Sequence, residues 1–227
     1  MAGDRHLHWE GCTNVRDLGG LRAAGGRRIR PGALVRADAV DRLTAAGWSA
    51  LQAHGVRTIV DLRNDDELRP DVAPRPESVT TVHLPLDGIA DAEFWDDWTN
   101  GPQFGTPLYY GPFLARFPTR TAEVVSAIAR AAPGGVLFHC MGGRDRTGLV
   151  SMLVLALAGV AADDIAADYV LTADLLEDYL ATQGTSAREV VLITLAALDV
   201  EAYLRAGGLD DADAEALRRR LLFPPSY

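Results

Sequence analysis

The chain has 227 residues, of which 48% are apolar and 23% are charged, a composition typical of one globular domain spanning residues 1–227. Its formal net charge of −9 argues against a nucleic-acid partner or attachment to an anionic membrane surface. The longest largely apolar run, Leu149 to Val160, is shorter than the roughly 20 residues that cross a bilayer, so we expect no stable membrane insertion.

The start of the chain and its cysteines bear on location. Charged residues and histidines occupy positions 1–10, where a secretory signal needs an apolar stretch, so the sequence predicts a cytoplasmic protein, with export by another route left open. Cys12 and Cys140 are too few for a disulfide framework, and each is judged as a thiol. The histidines lack the spacing of metal ligands, so we expect no metal and no cofactor.

In the first part of the chain, the sequence predicts a hairpin region followed by one helix and two strands. Short β-like runs alternate with glycine pairs in residues 1–40, which predicts an N-terminal β-hairpin region added to a sheet. A helix is predicted from Thr44 to His54, with Gly55 as its stop. Strands are predicted over Val56–Leu62 and Val79–Leu86.

Residues 87–118 are rich in glycine, proline and aromatic residues, which predicts a long loop or lid inserted between strands. Its aromatic rings either line a mobile lid over a phenyl or lipid group, or anchor the segment to the core. The rings concerned belong to Trp95, Trp98, Tyr109, Tyr110 and Phe113.

The second half continues the alternation of helices and strands. A helix is predicted over Thr121–Ala132, and a strand over Val136–Cys140 leads through a glycine-rich loop into an apolar helix. Residues 163–227 have helical periodicity. The alternation predicts an α/β fold with a central, mainly parallel sheet flanked by helices, and a ligand site beyond the carboxyl ends of the strands.

The loop His139-Cys140-Met-Gly-Gly-Arg-Asp-Arg146-Thr147 carries the chemistry. Successive backbone N–H groups and a helix N-terminus can surround one phosphate, while the Arg146 guanidinium grips two of its oxygens. The same positive field stabilises a thiolate at Cys140, which then becomes a nucleophile for phosphorus. The predicted substrate-binding residues are Met141, Gly142, Gly143, Arg144, Asp145 and Arg146.

The pattern His-Cys-x5-Arg-Thr resembles the signature of the cysteine-dependent protein tyrosine phosphatases. Its Gly-x-Asp-Arg-Thr-Gly ending, together with Asn14–Gly20, Val35–Asp38 and Asp61–Arg63, resembles an atypical bacterial branch acting on phosphotyrosine, phosphoserine/threonine and phosphoinositides. The resemblance covers nearly the whole chain and implies a tyrosine-phosphatase-like fold.

The resemblance also implies roles for individual residues. Cys140 would form a phosphocysteine, and Arg146 would bind the phosphoryl oxygens. Thr147 would help to expel the thiolate when water attacks, while His139 would orient the loop. Arg144 stands where this branch usually has Lys, which leaves the substrate preference open.

The leaving oxygen needs a proton, and three aspartates compete as its donor. Asp61 at a strand end ranks first, Asp145 within the loop second, and Asp87 at the start of the predicted lid third. Arg16 and Asp17 are candidates to brace the loop, although a hairpin turn explains their glycine-rich surroundings equally well.

These features together predict a phosphomonoester hydrolase, with protein-tyrosine phosphatase as the first hypothesis and a phosphoinositide or dual-specificity phosphatase as the alternative. The predicted partners are a phosphorylated protein or a phosphoinositide, with phosphate leaving as product. A sulfurtransferase, an arsenate reductase and a non-catalytic phosphate-binding module are remoter alternatives.

Overall fold

The computed structural model describes residues 5–172 and 177–223. Its sheet has the order β1-β2-β5-β3-β4, in which β1 is antiparallel to β2 and the other neighbours are parallel. The strands are β1 (Arg16–Asp17), β2 (Leu34–Ala37), β3 (Val56–Asp61), β4 (Thr80–His83) and β5 (Gly135–His139). The predicted α/β fold with a mainly parallel sheet is therefore confirmed.

Ten α-helices surround the sheet in the described part of the chain. They are α1 (Ala45–Ala53), α2 (Ala92–Thr99), α3 (Tyr110–Arg116), α4 (Pro118–Arg130), α5 (Asp145–Leu157), α6 (Ala162–Val170), α7 (Glu177–Thr182), α8 (Ala187–Ala196), α9 (Val200–Ala206) and α10 (Asp211–Leu221). Side chains of β5 alternate between two cores. Val136 and Phe138 join the larger core with α4 and α5, whereas Leu137 joins the smaller core with α1.

Local sequence signals explain where the helices begin and end. The Thr44 hydroxyl accepts a hydrogen bond from the Gly47 N–H at the start of α1, and Gly55 follows its end with a φ of +96°. Helix α4 begins at Pro118, before the predicted start at Thr121, because proline suits the first turn of a helix.

Two segments differ from expectation. In the 1–40 region, β2 is an inner strand that pairs with β5 as well as β1. Residues 87–118 contain α2 and α3 in place of one long loop. Aromatic packing stabilises these helices, as in the contact between Phe94 and Phe117, whose ring centroids are 5.1 Å apart. Parts of the predicted segments 1–40 and 163–227, namely residues 1–4, 173–176 and 224–227, lie outside the described residues.

The parallel strands bring chemistry-bearing residues to one edge of the sheet. Asp61 ends β3, Cys140 follows β5 and Asp38 follows β2, so all three lie at the carboxyl edge. None of the described helices combines the length and hydrophobicity needed to cross a membrane.

Candidate active site

Residues 140–144 form a loop between β5 and α5, and three consecutive loop carbonyls accept hydrogen bonds from outside it. The pairs are Ala39 N to Met141 O (3.0 Å), Asn14 Nδ2 to Gly142 O (2.9 Å) and Arg36 Nη2 to Gly143 O (2.9 Å). These donors hold the carbonyl oxygens outward. With its carbonyl oxygens engaged in this way, the loop can turn its backbone N–H groups toward an anion.

Two glycines allow this close packing. Gly143 has a φ of +68°, and a Cβ atom there would lie 2.6 Å from the Ala37 carbonyl oxygen. A Cβ atom on Gly148, in the first turn of α5, would lie 2.6 Å from Cε2 of Tyr169. The loop and the helix after it therefore have no room for side chains at these positions.

Cys140 lies at the base of the loop with its side chain buried. The buried Thr147 hydroxyl donates a hydrogen bond to Cys140 Sγ at 3.2 Å. Nδ1 of His139 is 3.0 Å from the Cys140 carbonyl oxygen, and burial lowers the pKa of His139. His139 is therefore neutral at neutral pH and supports the loop through this contact.

Arg146 is held by two carboxylates. Both of its Nη atoms hydrogen-bond to Glu67, Nη2 to Oε1 at 2.6 Å, and Nη1 also lies 3.1 Å from Asp87 Oδ2. A guanidinium has five N–H groups, so these contacts leave Nε and the second hydrogen of Nη2 for a ligand. That pair forms a fork suited to two phosphate oxygens.

Sequence reasoning missed Glu67. It lies in a short 3₁₀ turn after β3, and its Oε2 accepts a hydrogen bond from the Asn64 N–H at 2.8 Å. Burial raises the pKa of Glu67, but the hydrogen bonds from Arg146 and the Asn64 N–H together with the charges of Arg146 and Arg63 outweigh it, and the pKa is lowered. Asn64 followed three residues later by Glu67 is a capping-box spacing, and it was the available signal that this turn sits at the sheet edge.

Replacing Glu67 with Gln should lower kcat/KM about tenfold, because a neutral amide cannot hold both Nη atoms of Arg146 as a carboxylate does. Steady-state hydrolysis of a phosphate monoester measures the effect. Asp66→Asn removes the same charge from the same turn and should leave kcat/KM unchanged. Equal effects of the two substitutions would show that Glu67 acts through charge alone.

The structure argues against Asp61, our first-ranked general acid. Its side chain is buried, and both of its oxygens bind Arg63, at 3.0 Å from Nε and 2.8 Å from Nη2. Burial raises the pKa of Asp61, but the hydrogen bonds from Arg63 together with the charges of Arg63 and His139 outweigh it, and the pKa is lowered. An ionised, fully engaged carboxylate has no proton to donate, so Asp61 serves to fix Arg63.

Asp87 and Asp145 are better placed to donate a proton. Both line a cleft together with Arg146, and burial raises the pKa of each carboxyl. Asp87 Oδ2 accepts a hydrogen bond from Asn64 Nδ2 at 2.9 Å, in addition to its contact with Arg146. Asp145 pairs with Arg144 through Oδ1 at 3.2 Å.

The cleft has a volume of about 300 Å³ and one aromatic wall. Of the five aromatic residues considered for a lid, three line the cleft: Trp95, Trp98 and Tyr109. Tyr110 and Phe113 are instead fully buried in the core. The cleft thus offers an apolar surface beside the loop of residues 140–144.

Of the two residues predicted to brace the loop, Arg16 is linked to the loop, whereas Asp17 contacts the hairpin region. Arg16 donates to Asn14 Oδ1 at 2.7 Å and so reaches the loop through Asn14. Asp17 accepts hydrogen bonds from the N–H groups of Gly19 and Gly32, so its contacts brace the hairpin region. In residues 5–172 and 177–223, no group of three or more acidic, His or Cys side chains is arranged to hold a metal ion.

Comparison with known proteins agrees with this geometry. A sequence profile of the tyrosine phosphatase family matches residues 7–223. A protein of Cupriavidus necator, provisionally named a tyrosine-protein phosphatase, is 36% identical over 175 residues, which cover 74% of this chain and 63% of the relative. A tyrosine-protein phosphatase of Nostoc commune is 35% identical over 147 residues, covering 64% and 50% of the two chains.

A third relative is the triple specificity protein phosphatase PtpB of Mycobacterium tuberculosis. It is 31% identical over 193 residues, covering 72% of this chain and 68% of the relative. The matches therefore span between half and about two thirds of the relatives' lengths. The family profile matches nearly the whole length of this chain, and the chain therefore belongs to the tyrosine phosphatase family.

Proposed function

We propose that the chain hydrolyses phosphate monoesters through a phosphocysteine intermediate. The observation that carries the proposal is the geometry of the loop: Cys140 Sγ accepts the Thr147 hydroxyl, and Arg146 keeps a two-donor fork unengaged by Glu67 and Asp87. A nucleophile and a bidentate cation at one anion-binding loop are what phosphoryl transfer needs.

The reaction then has two steps. Cys140 Sγ attacks phosphorus, an S–P bond forms, and the ester P–O bond breaks as the leaving oxygen takes a proton. Water next attacks the phosphocysteine and gives a proton to the carboxylate that was the donor in the first step, the S–P bond breaks, and phosphate is released. The Thr147 hydroxyl stabilises the departing thiolate in this second step, because it already donates to Sγ.

We assign the proton donor to Asp145, ahead of Asp87. Asp87 Oδ2 accepts a hydrogen bond from Asn64 and forms an ion pair with Arg146, whereas Asp145 is paired with Arg144 through Oδ1. The side-chain contact of Asp145 leaves its Oδ2 to approach a leaving group, and burial raises its pKa, as a proton donor requires. Asp145 also lies on the loop itself, beside Arg146.

The aromatic wall favours phosphotyrosine in a protein as the substrate, because Trp95, Trp98 and Tyr109 provide ring surface beside the loop. A second candidate is a phosphatase of broader specificity, acting also on phosphoserine/threonine or phosphoinositides. The name of the Mycobacterium tuberculosis relative, a triple specificity phosphatase, favours it. We place the activity in the cytoplasm, where a reducing environment keeps the free Cys140 thiol intact.

Hydrolysis of para-nitrophenyl phosphate in the presence of EDTA tests the proposal. We expect turnover that survives the chelator and is inhibited by orthovanadate. Phosphotyrosine peptide, phosphoserine peptide and phosphoinositide, supplied in parallel, rank the substrate classes. If the folded protein turned over none of these esters, but transferred sulfur from thiosulfate, reduced arsenate or only bound phosphopeptide, the proposal would be wrong.

Replacing Asp145 with Asn should lower hydrolysis of phenyl phosphate about 10²-fold and barely affect para-nitrophenyl phosphate, because nitrophenolate leaves without a proton. The acid must be protonated, so the raised pKa of Asp145 extends activity toward higher pH, and wild-type activity falls once the pH passes that pKa. The activity of Asp145→Asn should not show this decrease as the pH rises. If Asp87→Asn alone produced the leaving-group-dependent loss, the acid would be Asp87.

A further inference from the structure

Asp168 lies in α6 and binds three arginines with a side chain that is only 1% exposed. The distances are 2.8 Å from Arg5 Nη2, 3.4 Å from Arg16 Nε and 2.7 Å from Arg36 Nη1. Arg16 and Arg36 are fully buried and stand opposite each other in the β1–β2 pair. Two like charges in that position repel each other unless a counter-charge lies between them, and Asp168 supplies it.

Two members of this cluster, Asp168 and Arg16, have shifted pKa values. Burial raises the pKa of Asp168, but the charges of the three arginines outweigh it and lower that pKa to about 2. Burial, together with the charge of Arg36, lowers the pKa of Arg16 to about 10. Asp168 is therefore ionised and Arg16 is protonated at neutral pH.

Two of the three arginines connect Asp168 to the phosphate-binding loop through hydrogen bonds. Arg36 binds Asp168 through Nη1 and the Gly143 carbonyl through Nη2, at 2.7 and 2.9 Å. Arg16 donates to Asn14 Oδ1, and Asn14 Nδ2 donates to the Gly142 carbonyl. The Asp168 carboxylate thus fixes the donors of two successive loop carbonyls, and reaches the loop only through them.

We propose that Asp168 is a positioning residue for the phosphate-binding loop: it fixes Arg16 and Arg36, which hold the carbonyls of Gly142 and Gly143 outward. The inference rests on the proposed function, because it takes the loop to be a phosphate site. It extends that function to a residue outside the Cys-x5-Arg signature. The positioning matters most in the transition state, when all the loop N–H groups are engaged by the equatorial oxygens.

A role in charge balance and a role in positioning predict opposite results for Asp168→Asn. If Asp168 only neutralised positive charge, its removal would strengthen the binding of every anion. If it positions the loop, the substitution weakens the binding of vanadate, which adopts the five-coordinate geometry of the transition state. Phosphate, a tetrahedral product, should then be affected less.

The experiment measures inhibition constants for vanadate and phosphate, with thermal unfolding, for the wild type, Asp168→Asn and Asn14→Ala. We expect vanadate to bind about tenfold more weakly and phosphate to change less than about threefold in both variants. Asp213 provides the matched control, since it is also buried and accepts a hydrogen bond from Arg130 at 2.7 Å between α4 and α10. Asp213→Asn should lower thermal stability and leave the ratio of the two constants unchanged.

The positioning role would be overturned if Asp168→Asn and Asn14→Ala kept the wild-type ratio of the vanadate and phosphate inhibition constants. Tighter binding of both anions by Asp168→Asn would also overturn it. Should Asp168→Asn fail to fold, Asn14→Ala decides, because it cuts the link to Gly142 and leaves the buried charges in place. If the wild type turns over no phosphate ester, the proposed function fails separately. Direct titration with vanadate and phosphate by calorimetry then still tests Asp168.

Discussion

Replacing Cys140 with Ser should abolish turnover of para-nitrophenyl phosphate, with a loss of at least about 10⁴-fold, while phosphate esters still bind. A serine hydroxyl is a far weaker nucleophile than a cysteine sulfur, and the Thr147 hydroxyl, which donates its proton to Sγ, does not take a proton from an alcohol. Arg146 and the backbone N–H groups stay in place, so substrate affinity is retained. Steady-state kinetics and calorimetric binding of phosphotyrosine separate the two effects.

The second cysteine provides the control for this substitution. Cys12 Sγ lies 3.5 Å from the Ala39 carbonyl oxygen and is absent from the residues that line the cleft, and a serine hydroxyl there can make the same hydrogen bond. Cys12→Ser should therefore keep wild-type kcat and KM. Mass spectrometry of quenched wild-type reactions should find one phosphate on Cys140. Undiminished activity in Cys140→Ser would eliminate the phosphocysteine mechanism.

Replacing Arg146 with Lys should lower kcat about 10³-fold, even though the positive charge is kept. A lysine has no planar fork, so it cannot bind Glu67 on one side and two phosphoryl oxygens on the other, as the geometry of Arg146 allows. Vanadate inhibition should weaken more than phosphate inhibition, because the fork is used most fully in the transition state.

Arg130→Lys tests whether any such exchange harms the protein. Arg130 also pairs with two acids, Asp213 and Asp210, but it lies at the α4–α10 contact and not at the cleft. We expect wild-type kinetics for that variant. A loss below about tenfold in Arg146→Lys would mean that charge, and not the two-donor fork, carries the effect.

The loop and the fold could be predicted from the sequence because their signals are local. The apolar run of β5, the glycines of the loop and the start of α5 lie within a few residues of one another. Glycine at 143 is required by a backbone with φ of +68°, which the sequence expresses directly. Short-range patterns of this kind specify an anion-binding loop before any tertiary contact is known.

Partnerships between distant side chains were not predictable in the same way. Asp61 does end β3 as expected, but Arg63, two residues later, turns back and takes both of its oxygens. Spacing along a strand does not show which charged neighbour a carboxylate will meet. The hydrogen bond between Glu67 and Arg146, which are 79 positions apart in sequence, could not be predicted for the same reason.

The aromatic residues of 87–118 show a further limit. Composition could not separate Trp95, which lines the cleft, from Phe113, which is buried in the core. Helix α3 turns two rings into the core, those of Tyr110 and Phe113, whereas Trp95 of α2 lines the cleft, and packing geometry decides which ring goes where. Helical periodicity is hard to recognise in a segment this short and this rich in glycine and proline.

The contacts that shape the phosphate-binding loop also affect the order in which a growing chain acquires its site. Asn14 and Arg36 lie more than a hundred positions before the loop carbonyls that they hold, and Asp168 lies after the loop. Contacts between residues so far apart in sequence form late in folding, because the entropy cost of closing a long stretch of chain comes before the energy gained from the contact. During synthesis from the N-terminus Cys140 therefore emerges before Asp168, and the contacts around the 140–144 loop are completed only after α6 has been made.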